Sequence, residues 1–531
     1  MPMTYATRAV LATGILCITA GYTTAQQSIR VRSGLIAGAT DDEVTAYKGI
    51  PFAAPPVGRL RWRPPQPAPG WEGVRDATTF GPPCPQPPFP PSRWASNWNE
   101  DCLTINVWTP TKRSERPMPV LFVIPGGGFF SGGGADPRTD GRELAKRGVV
   151  VVTFNYRLGI FGFFSHPLLS KESPSHTSGN YGLMDQIAAL KWVRDNIAAF
   201  GGAASNVTIQ GSSAGGSSVL YLMVSPPAQG LFSRGISTSA ALVYSPIAHV
   251  RERRYGLESA EARGARLGDD IAGLRALSAD DLLARSKTET DIMYADGDPY
   301  WPVVDGVVLP DEPSTLFDVG RFARTPLIIG TMNDEATLFA SILPIKTSAA
   351  WREHVTKRSP GVESAVAATY AAPADSDVYP AAMRWVNDWW FHGTARSVAR
   401  AVSARGVPVF LYGFSRVPPG QPLRAGAGAF HSAETEYIFG NPSPWGKGAP
   451  LEEVDRALAR AMSGAWLQFA RTGNPNATDL PSWPRYERSS DQHLDFGSEI
   501  RSGSGLHAQS LDVFDRTLAE MRAADRRARN K

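Results

Sequence analysis

Five short apolar segments constrain the fold of this chain more than any other feature. They are rich in β-branched and aromatic residues, as are strands buried on both faces of a parallel sheet, and they comprise Pro119–Ile124, Gly148–Phe154, Asn206–Gln210, Pro326–Gly330 and Val407–Tyr412. Between the second and third segments, apolar residues recur at steps of three and four, which predicts a helical face formed by Leu183, Ile187, Leu190, Val193 and Ile197. A strand, a helix and a second strand in this order predict a right-handed crossover and an α/β fold with a large, mainly parallel sheet.

The length and composition of the chain allow a large hydrophobic core. It has 531 residues, of which 42% are hydrophobic, and at ~150 residues per domain it could hold three or four domains. The segments at about 250–286 and 351–405 have a helical composition. We expect them to cap the sheet as insertions rather than to form domains of their own.

Residues 1–25 have the pattern of a secretory signal peptide. Arg8 precedes an uncharged apolar run, and small residues follow up to Ala25, near which we expect cleavage. The run is too short to span a membrane comfortably, and a retained N-terminal anchor is the alternative. The mature chain is therefore predicted to be secreted or periplasmic.

The chain contains three cysteines, of which Cys17 would leave with the signal peptide. Cys84 and Cys102 would then lie in an oxidising compartment, where an even number of cysteines favours a disulfide bond. Two unrelated buried thiols are the alternative.

The charge distribution gives no reason to expect nucleic-acid or membrane binding. The formal net charge is +4, and the locally basic tail at 522–531 is explained by a solvated terminal helix. After the signal peptide, no window of ~18 residues is continuously apolar, so we expect no membrane span in the mature chain. These patterns do not determine the oligomeric state.

The segment Gly211–Gly215, with the sequence Gly-Ser-Ser-Ala-Gly, directly follows the predicted strand Asn206–Gln210. A Gly-x-Ser-x-Gly motif after a strand is typical of the nucleophile elbow of α/β-hydrolases, in which a strained turn lifts the serine clear of the backbone. Small residues are needed on both sides because the turn brings the strand and the following helix close together. The position of the motif predicts Ser213 as a nucleophile.

A glycine-rich segment at 125–132 follows the predicted strand Pro119–Ile124. Glycine N–H groups can point at one oxygen there, and with the N–H group of Ala214 they would form an oxyanion hole. A flexible loop and a phosphate cradle are the alternatives, but the Lys-Ser/Thr pair of a P-loop is absent at this spacing.

A serine nucleophile needs a base, and in an α/β-hydrolase the order along the chain is serine, acid, histidine. That order leaves six candidate bases, namely His249, His354, His392, His431, His493 and His507. Glu335 and His431 each follow a predicted strand, at the strand end where active-site loops lie. Spacing favours this pair and leaves the other histidines open.

These segments, with several others, resemble the type-B carboxylesterases of the esterase, lipase and cholinesterase family. The resemblance runs from about Val31 to Tyr486, and its most similar segments are Tyr47–Ala53, Glu100–Trp108, Asn155–Gly159, Gly179–Gln186, Gly330–Glu335, Phe430–Gly440 and Phe469–Asn476. It implies the α/β-hydrolase fold and a serine hydrolase that cleaves small-molecule carboxylic esters through an acyl-enzyme intermediate. It implies no metal and no cofactor.

The resemblance also implies roles for single residues. The nucleophile, acid and base of the triad would be Ser213, Glu335 and His431. The oxyanion hole would be formed by the N–H groups of Gly127, Gly128 and Ala214. The resemblance further implies a disulfide between Cys84 and Cys102. Because the triad would extend from residue 213 to residue 431, we expect one catalytic domain over residues 26–531.

The chain departs from the family pattern close to the implied site. The family usually has Glu before the nucleophile, where this chain has Ser212, and usually His or another large residue at the position of Pro125. The stretch Phe200–Asn206 also lacks the Asp-Pro that commonly follows its two glycines. All triad and oxyanion positions are retained.

Ser212 replaces a negative charge near the reacting carbonyl with a neutral side chain. Two like charges ~5 Å apart repel by about 3 kcal/mol at an effective dielectric constant of ~20. We therefore expect Ser212 to tune substrate choice, so that anionic, carboxylate-bearing esters are tolerated. Aryl esters are a separate expected class. A packing role of Ser212 in the elbow is the alternative.

Two other functions are compatible with the same fold. A non-catalytic, cholinesterase-like adhesion or binding protein would have lost the serine, the acid or the base, and all three are present here. A lipase or a peptidase would use the same triad, so substrate profiling has to separate these from an esterase.

Overall fold

The computed structural model describes residues 28–41, 43–87, 96–112, 114–286, 300–342, 345–357, 359, 361–420, 426–441, 450–477 and 480–529. The predicted signal peptide, residues 1–25, lies outside the described residues. Among the helices of the described ranges, none is long and apolar enough to cross a membrane.

The strands and helices within these ranges are as follows. The strands are β1 (Ser28–Val31), β2 (Gly34–Ala37), β3 (Ala39–Thr40), β4 (Val44–Pro51), β5 (Val74–Asp76), β6 (Thr104–Pro110), β7 (Met118–Ile124), β8 (Val150–Phe154), β9 (Gly202–Ser212), β10 (Arg234–Thr238), β11 (Leu327–Met332), β12 (Val409–Phe414), β13 (Gln492–Phe496) and β14 (Ile500–Ser504). The α-helices are α1 (Arg142–Lys146), α2 (Gly159–Phe163), α3 (Pro167–Glu172), α4 (Tyr181–Asn196), α5 (Ala214–Val224), α6 (Ala260–Ala265), α7 (Ile271–Ala276), α8 (Ala279–Arg285), α9 (Pro313–Asp318), α10 (Ser348–Lys357), α11 (Glu363–Thr369), α12 (Val378–Val386), α13 (Gly393–Ser403), α14 (Thr435–Ile438), α15 (Glu453–Thr472) and α16 (Ala508–Arg529). A 3₁₀ helix occupies Glu335–Ile342, and a π-helical segment occupies Asn387–His392.

One large sheet forms the centre of the molecule. Eleven strands pair in the order β14-β13-β12-β11-β10-β9-β7-β8-β6-β4-β3. The run from β8 through β13 is parallel, and antiparallel pairs occur at both edges of the sheet. The predicted α/β fold with a mainly parallel sheet is confirmed.

Both faces of the central strands are buried, as their continuous apolar sequences predict. Along β7, Val120 and Phe122 belong to the hydrophobic cluster that contains α4 and α5. Leu121 and Val123, which alternate with them, belong to a second cluster that contains α15. Successive side chains of a strand point to opposite faces, so the helices cover the sheet on both sides.

The five predicted strands correspond to β7, β8, β9, β11 and β12, with ends shifted by a few residues. Strand β10, which pairs with both β9 and β11, was not predicted from the sequence. Its sequence, Arg-Gly-Ile-Ser-Thr, has a single large apolar residue, Ile236. Its polar side chains can be buried because Ser237 Oγ donates to the carbonyl of Gly216 at 3.0 Å and Thr238 Oγ1 donates to that of Gly211 at 2.9 Å.

The two segments with helical composition do form helices. Helices α6, α7 and α8 lie within 250–286, and α11, α12 and α13 lie within 351–405. Ile271 and Leu282 of the first segment share a hydrophobic cluster with Trp62 and Phe161. This segment is therefore packed on the body of the protein through apolar side chains.

Candidate active site

Ser213 occupies a strained turn between β9 and α5. Its backbone angles are φ 61° and ψ −128°, in a region that residues with a side chain rarely adopt. Two hydrogen bonds hold the turn, because the N–H group of Ser213 donates to the carbonyl of Thr238 at 3.0 Å and its own carbonyl accepts from the N–H group of Ser217 at 2.9 Å. The geometry is that of the elbow predicted from the sequence.

The small residues around Ser213 are required by close backbone contacts. A Cβ atom at Gly211 would overlap the backbone of Gly215, and a Cβ atom at Gly215 would overlap the carbonyl oxygen of Ile124. Helix α5 can therefore approach the ends of β9 and β7 only because glycine stands at these positions.

The predicted acid and base meet at the carboxyl ends of neighbouring strands. Glu335 follows β11, and His431 lies in the loop after β12; the loops are joined where Asp334 and Phe430 form a parallel β-bridge. His431 Nδ1 is hydrogen-bonded to Oε2 of Glu335. The carboxylate of Glu335 is fully buried, and its Oε1 accepts from the N–H group of Met332 at 2.9 Å.

The second ring nitrogen of His431, Nε2, has no hydrogen-bond partner among the described residues. The loop of His431 is joined to the elbow by a hydrogen bond of 3.0 Å between Oγ of Ser212 and Oγ of Ser432. These two serines are the sequence neighbours of Ser213 and His431. All three predicted triad residues thus lie at the carboxyl ends of central strands, in the loops after β9, β11 and β12.

The predicted oxyanion loop lies beside Ser213. A Cβ atom at Gly126 would be 3.3 Å from Cβ of Ser213 and 2.6 Å from the carbonyl oxygen of Ser212, so glycine is needed for this approach. Gly127 and Gly128 follow with positive φ angles of 104° and 61°. The N–H group of Ala214 is at the first turn of α5, directly after Ser213.

Gln86 connects the predicted oxyanion loop to the segment that carries Cys84. Its Oε1 accepts from the N–H group of Gly132 at 2.9 Å, and its Nε2 donates to the carbonyl of Gly132 at 3.1 Å. Gln86 follows Cys84, which forms a disulfide bond with Cys102. The predicted disulfide is therefore present, and it lies close to the support of this loop.

Glu434 is a candidate functional residue that was not predicted from the sequence. It is fully buried and accepts a hydrogen bond from Oγ of Ser212 at 3.4 Å. Burial raises the pKa of Glu434 to about 8, and the nearby charge of Glu335 acts in the same direction. The side chain is therefore mainly protonated at neutral pH, so Glu434 itself places little negative charge beside Ser212. One feature of the sequence could have indicated Glu434, namely its position three residues after His431 in a segment that resembles the family.

Two aromatic rings pack against the imidazole of His431. The ring centroids of Phe339 and Phe391 lie 5.1 Å and 4.8 Å from that of His431. Phe339 belongs to the 3₁₀ helix that begins at Glu335, and Phe391 to the π-helical segment. Within the described ranges, no group of three or more His, Cys, Asp or Glu side chains is arranged to hold a metal ion.

Comparisons with known proteins agree with this architecture. The sequence model of the carboxylesterase family matches residues 25–514. The chain is 39% identical over 487 residues to fumonisin B1 esterase of Sphingopyxis macrogoltabida, covering 90% of this chain and 87% of the relative. It is 36% identical over 491 residues to para-nitrobenzyl esterase of Bacillus subtilis (strain 168), covering 89% and 95% of the two chains.

A solved structure of PNB esterase superposes on this protein with a TM-score of 0.78 at 33% identity, covering 92% of this chain and 99% of that one. The sequence and the fold therefore lead to the same family over most of the chain. The protein belongs to the carboxylesterase family and is a carboxylic ester hydrolase.

Proposed function

We propose that this ester hydrolase works through Ser213 as nucleophile, His431 as base and Glu335 as the acid that orients the base. The observation that carries the proposal is the hydrogen bond from His431 Nδ1 to the buried carboxylate of Glu335, while Nε2 has no partner within the described part of the chain. A histidine held at one nitrogen can exchange a proton at the other.

The proposed reaction proceeds through an acyl-enzyme. His431 Nε2 takes the proton of Ser213 as its oxygen attacks the ester carbonyl, and the N–H groups of Gly127, Gly128 and Ala214 stabilise the resulting oxyanion. His431 then protonates the leaving alcohol. Water deacylates the enzyme by the same steps, with His431 again acting first as base and then as acid.

We further propose that the enzyme accepts esters with a carboxylate close to the scissile bond. The support is electrostatic, because Ser212 is neutral and the carboxyl group beside it, that of Glu434, has a pKa of about 8. An anionic substrate would therefore meet less repulsion here than beside an ionised glutamate before the nucleophile.

Aryl esters are the second proposed class, and the rings of Phe339 and Phe391 beside His431 favour them. The names of the relatives are consistent with a broad range of esters, since one is called a fumonisin B1 esterase and another a para-nitrobenzyl esterase. The substrate class thus rests on the charge and aromatic character of the site.

The nucleophile is tested with a Ser213→Ala variant on a panel of p-nitrophenyl, aryl, long-chain and carboxylate-bearing esters. We expect hydrolysis to fall by at least ~1,000-fold with the fold retained. A matched control is Ser225→Ala at the opposite end of α5, because the Ser225 hydroxyl has no hydrogen-bond partner among the described residues. Near-normal turnover by the Ser213→Ala variant would refute the assignment.

The charge proposal is tested with Ser212→Glu, and Ser212→Gln serves as the control of equal size. The introduced carboxyl would lie beside that of Glu434, so the pair would carry at least one negative charge at neutral pH. At ~5 Å and an effective dielectric constant of ~20 the repulsion is about 3 kcal/mol, so we expect kcat/KM to fall roughly 100-fold more for an anionic ester than for its neutral analogue. Equal losses on both esters would contradict the proposal.

A further inference from the structure

The π-helical segment Asn387–His392 lies between α12 and α13 and faces the loop that carries Glu335. We call Met332–Ala336 the acid loop. A π-helical turn is wider than an α-helical turn. Such turns are rare in proteins, and those that do occur are often at functional sites. The contacts of the segment show which part of the site it supports.

Asn387 bridges the acid loop with both ends of its side-chain amide. Its Oδ1 accepts from the N–H group of Ala336 at 2.7 Å, and its Nδ2 donates to the carbonyl of Asn333 at 3.2 Å. These two backbone groups flank Asp334 and Glu335. One side chain therefore fixes the backbone on both sides of the proposed acid.

His392 holds the beginning of the same loop. Its Nε2 lies 2.9 Å from the carbonyl oxygen of Met332, and because that oxygen can only accept, Nε2 carries the proton. Its Nδ1 lies 3.2 Å from Asp388. The N–H group of Met332 donates to Oε1 of Glu335 at 2.9 Å. Met332, whose N–H group binds the carboxylate, is thus also held through its carbonyl by the π-helical segment.

The π-helical geometry allows these contacts to be made together. In an α-helix, with 100° per residue, residue 392 would point about 140° away from residue 387. The i to i+5 hydrogen bonding of a π-helix brings residue 392 back over residue 387. Phe391, between them, packs its ring 4.8 Å from that of His431. The segment therefore contacts the acid loop and the base at once.

We propose that Asn387 is a positioning residue for ester hydrolysis, which holds the carboxylate of Glu335 in line with His431 through the backbone of the acid loop. This inference rests on the triad proposed above. A shift of ~1 Å in a catalytic group can cost 100-fold in rate. We therefore expect Asn387→Ala to lower kcat by about 10- to 100-fold, with KM within about twofold of the wild-type value.

The decisive experiment is a double-mutant cycle with Glu335→Gln, measured as kcat on a neutral p-nitrophenyl ester. If Asn387 acts through the Glu335 carboxylate, Asn387→Ala should lower kcat by less than about threefold once that carboxylate is gone. A merely structural role would instead lower kcat by the same factor in both backgrounds, which would overturn the proposal.

Asn476→Ala provides a matched control. Asn476 also bridges a loop with both ends of its amide, since Oδ1 accepts from the N–H group of Trp483 at 2.8 Å and Nδ2 donates to the carbonyl of Trp483 at 3.0 Å. We expect its replacement to change kcat by less than about twofold in either background.

A second variant covers the case in which Asn387→Ala does not fold. Asn387→Asp keeps an acceptor for the N–H group of Ala336 and loses the donor to Asn333, so we expect a smaller loss that also disappears in the Glu335→Gln background. Wild-type kcat in whichever of Asn387→Ala and Asn387→Asp is folded would overturn the inference. Failure of the triad is distinguished by Ser213→Ala: if that variant is inactive while the cycle is additive, only the role of Asn387 is wrong.

Discussion

Replacing Glu434 by glutamine should change how the stability of the protein depends on pH. Glu434 is fully buried beside Ser212, and its pKa of about 8 in the folded protein compares with 4.5 for an unperturbed glutamate. The folded state therefore binds a proton that the unfolded chain releases between these two pH values. The stabilising contribution of the protonated group is complete below about pH 4.5 and is lost as the pH rises towards 8.

The magnitude follows from the two pKa values. Their difference of about 3.5 corresponds to about 5 kcal/mol, because each pKa unit is worth ~1.4 kcal/mol. Of this, about 3 kcal/mol falls between pH 5.5 and pH 8.5. A glutamine of nearly the same shape does not ionise, so the variant lacks this loss.

The assay is urea unfolding of the wild-type protein and of Glu434→Gln at pH 5.5 and pH 8.5. The free energy of unfolding of the variant, relative to the wild type, should increase by about 3 kcal/mol between these two pH values. Glu453→Gln, at an exposed position at the start of α15, is the control and should show no such increase. A difference between Glu434→Gln and the wild type that is the same at both pH values would refute the reasoning.

Two further predictions concern stability. Asp185→Asn should lower the free energy of unfolding by about 3–5 kcal/mol, because the buried guanidinium of Arg157 would lose its counter-charge. Asp185 accepts two hydrogen bonds from that guanidinium, at 2.7 and 2.8 Å. A loss below about 1 kcal/mol in urea unfolding would contradict this prediction. Replacing Cys84 and Cys102 together by serine should cost about 3 kcal/mol for a separation of 18 residues, and dithiothreitol should then no longer change the unfolding midpoint.

The elbow and the central strands could be predicted from the sequence because their signals are local. The glycine motif around Ser213 and the apolar runs of β7, β8 and β9 are patterns of residues that are near one another in the chain. Strand β10 was not predicted because its sequence has few apolar residues. Its burial depends on hydrogen bonds from Ser237 and Thr238 to carbonyls distant in the chain, and these bonds exist only in the folded sheet.

Sequence patterns alone were thus enough to predict the fold class, the strand ends where the active-site loops lie, and Ser213 as the candidate nucleophile. Which of the six histidines pairs with Glu335 depends on the fold, since the loops of Glu335 and His431 are brought together by neighbouring strands that are far apart in the chain. The tertiary structure likewise decided the contacts of Glu434 and Asn387. Local patterns encode backbone conformation and burial, whereas hydrogen-bond partners and shifted pKa values depend on which distant groups share the same buried volume.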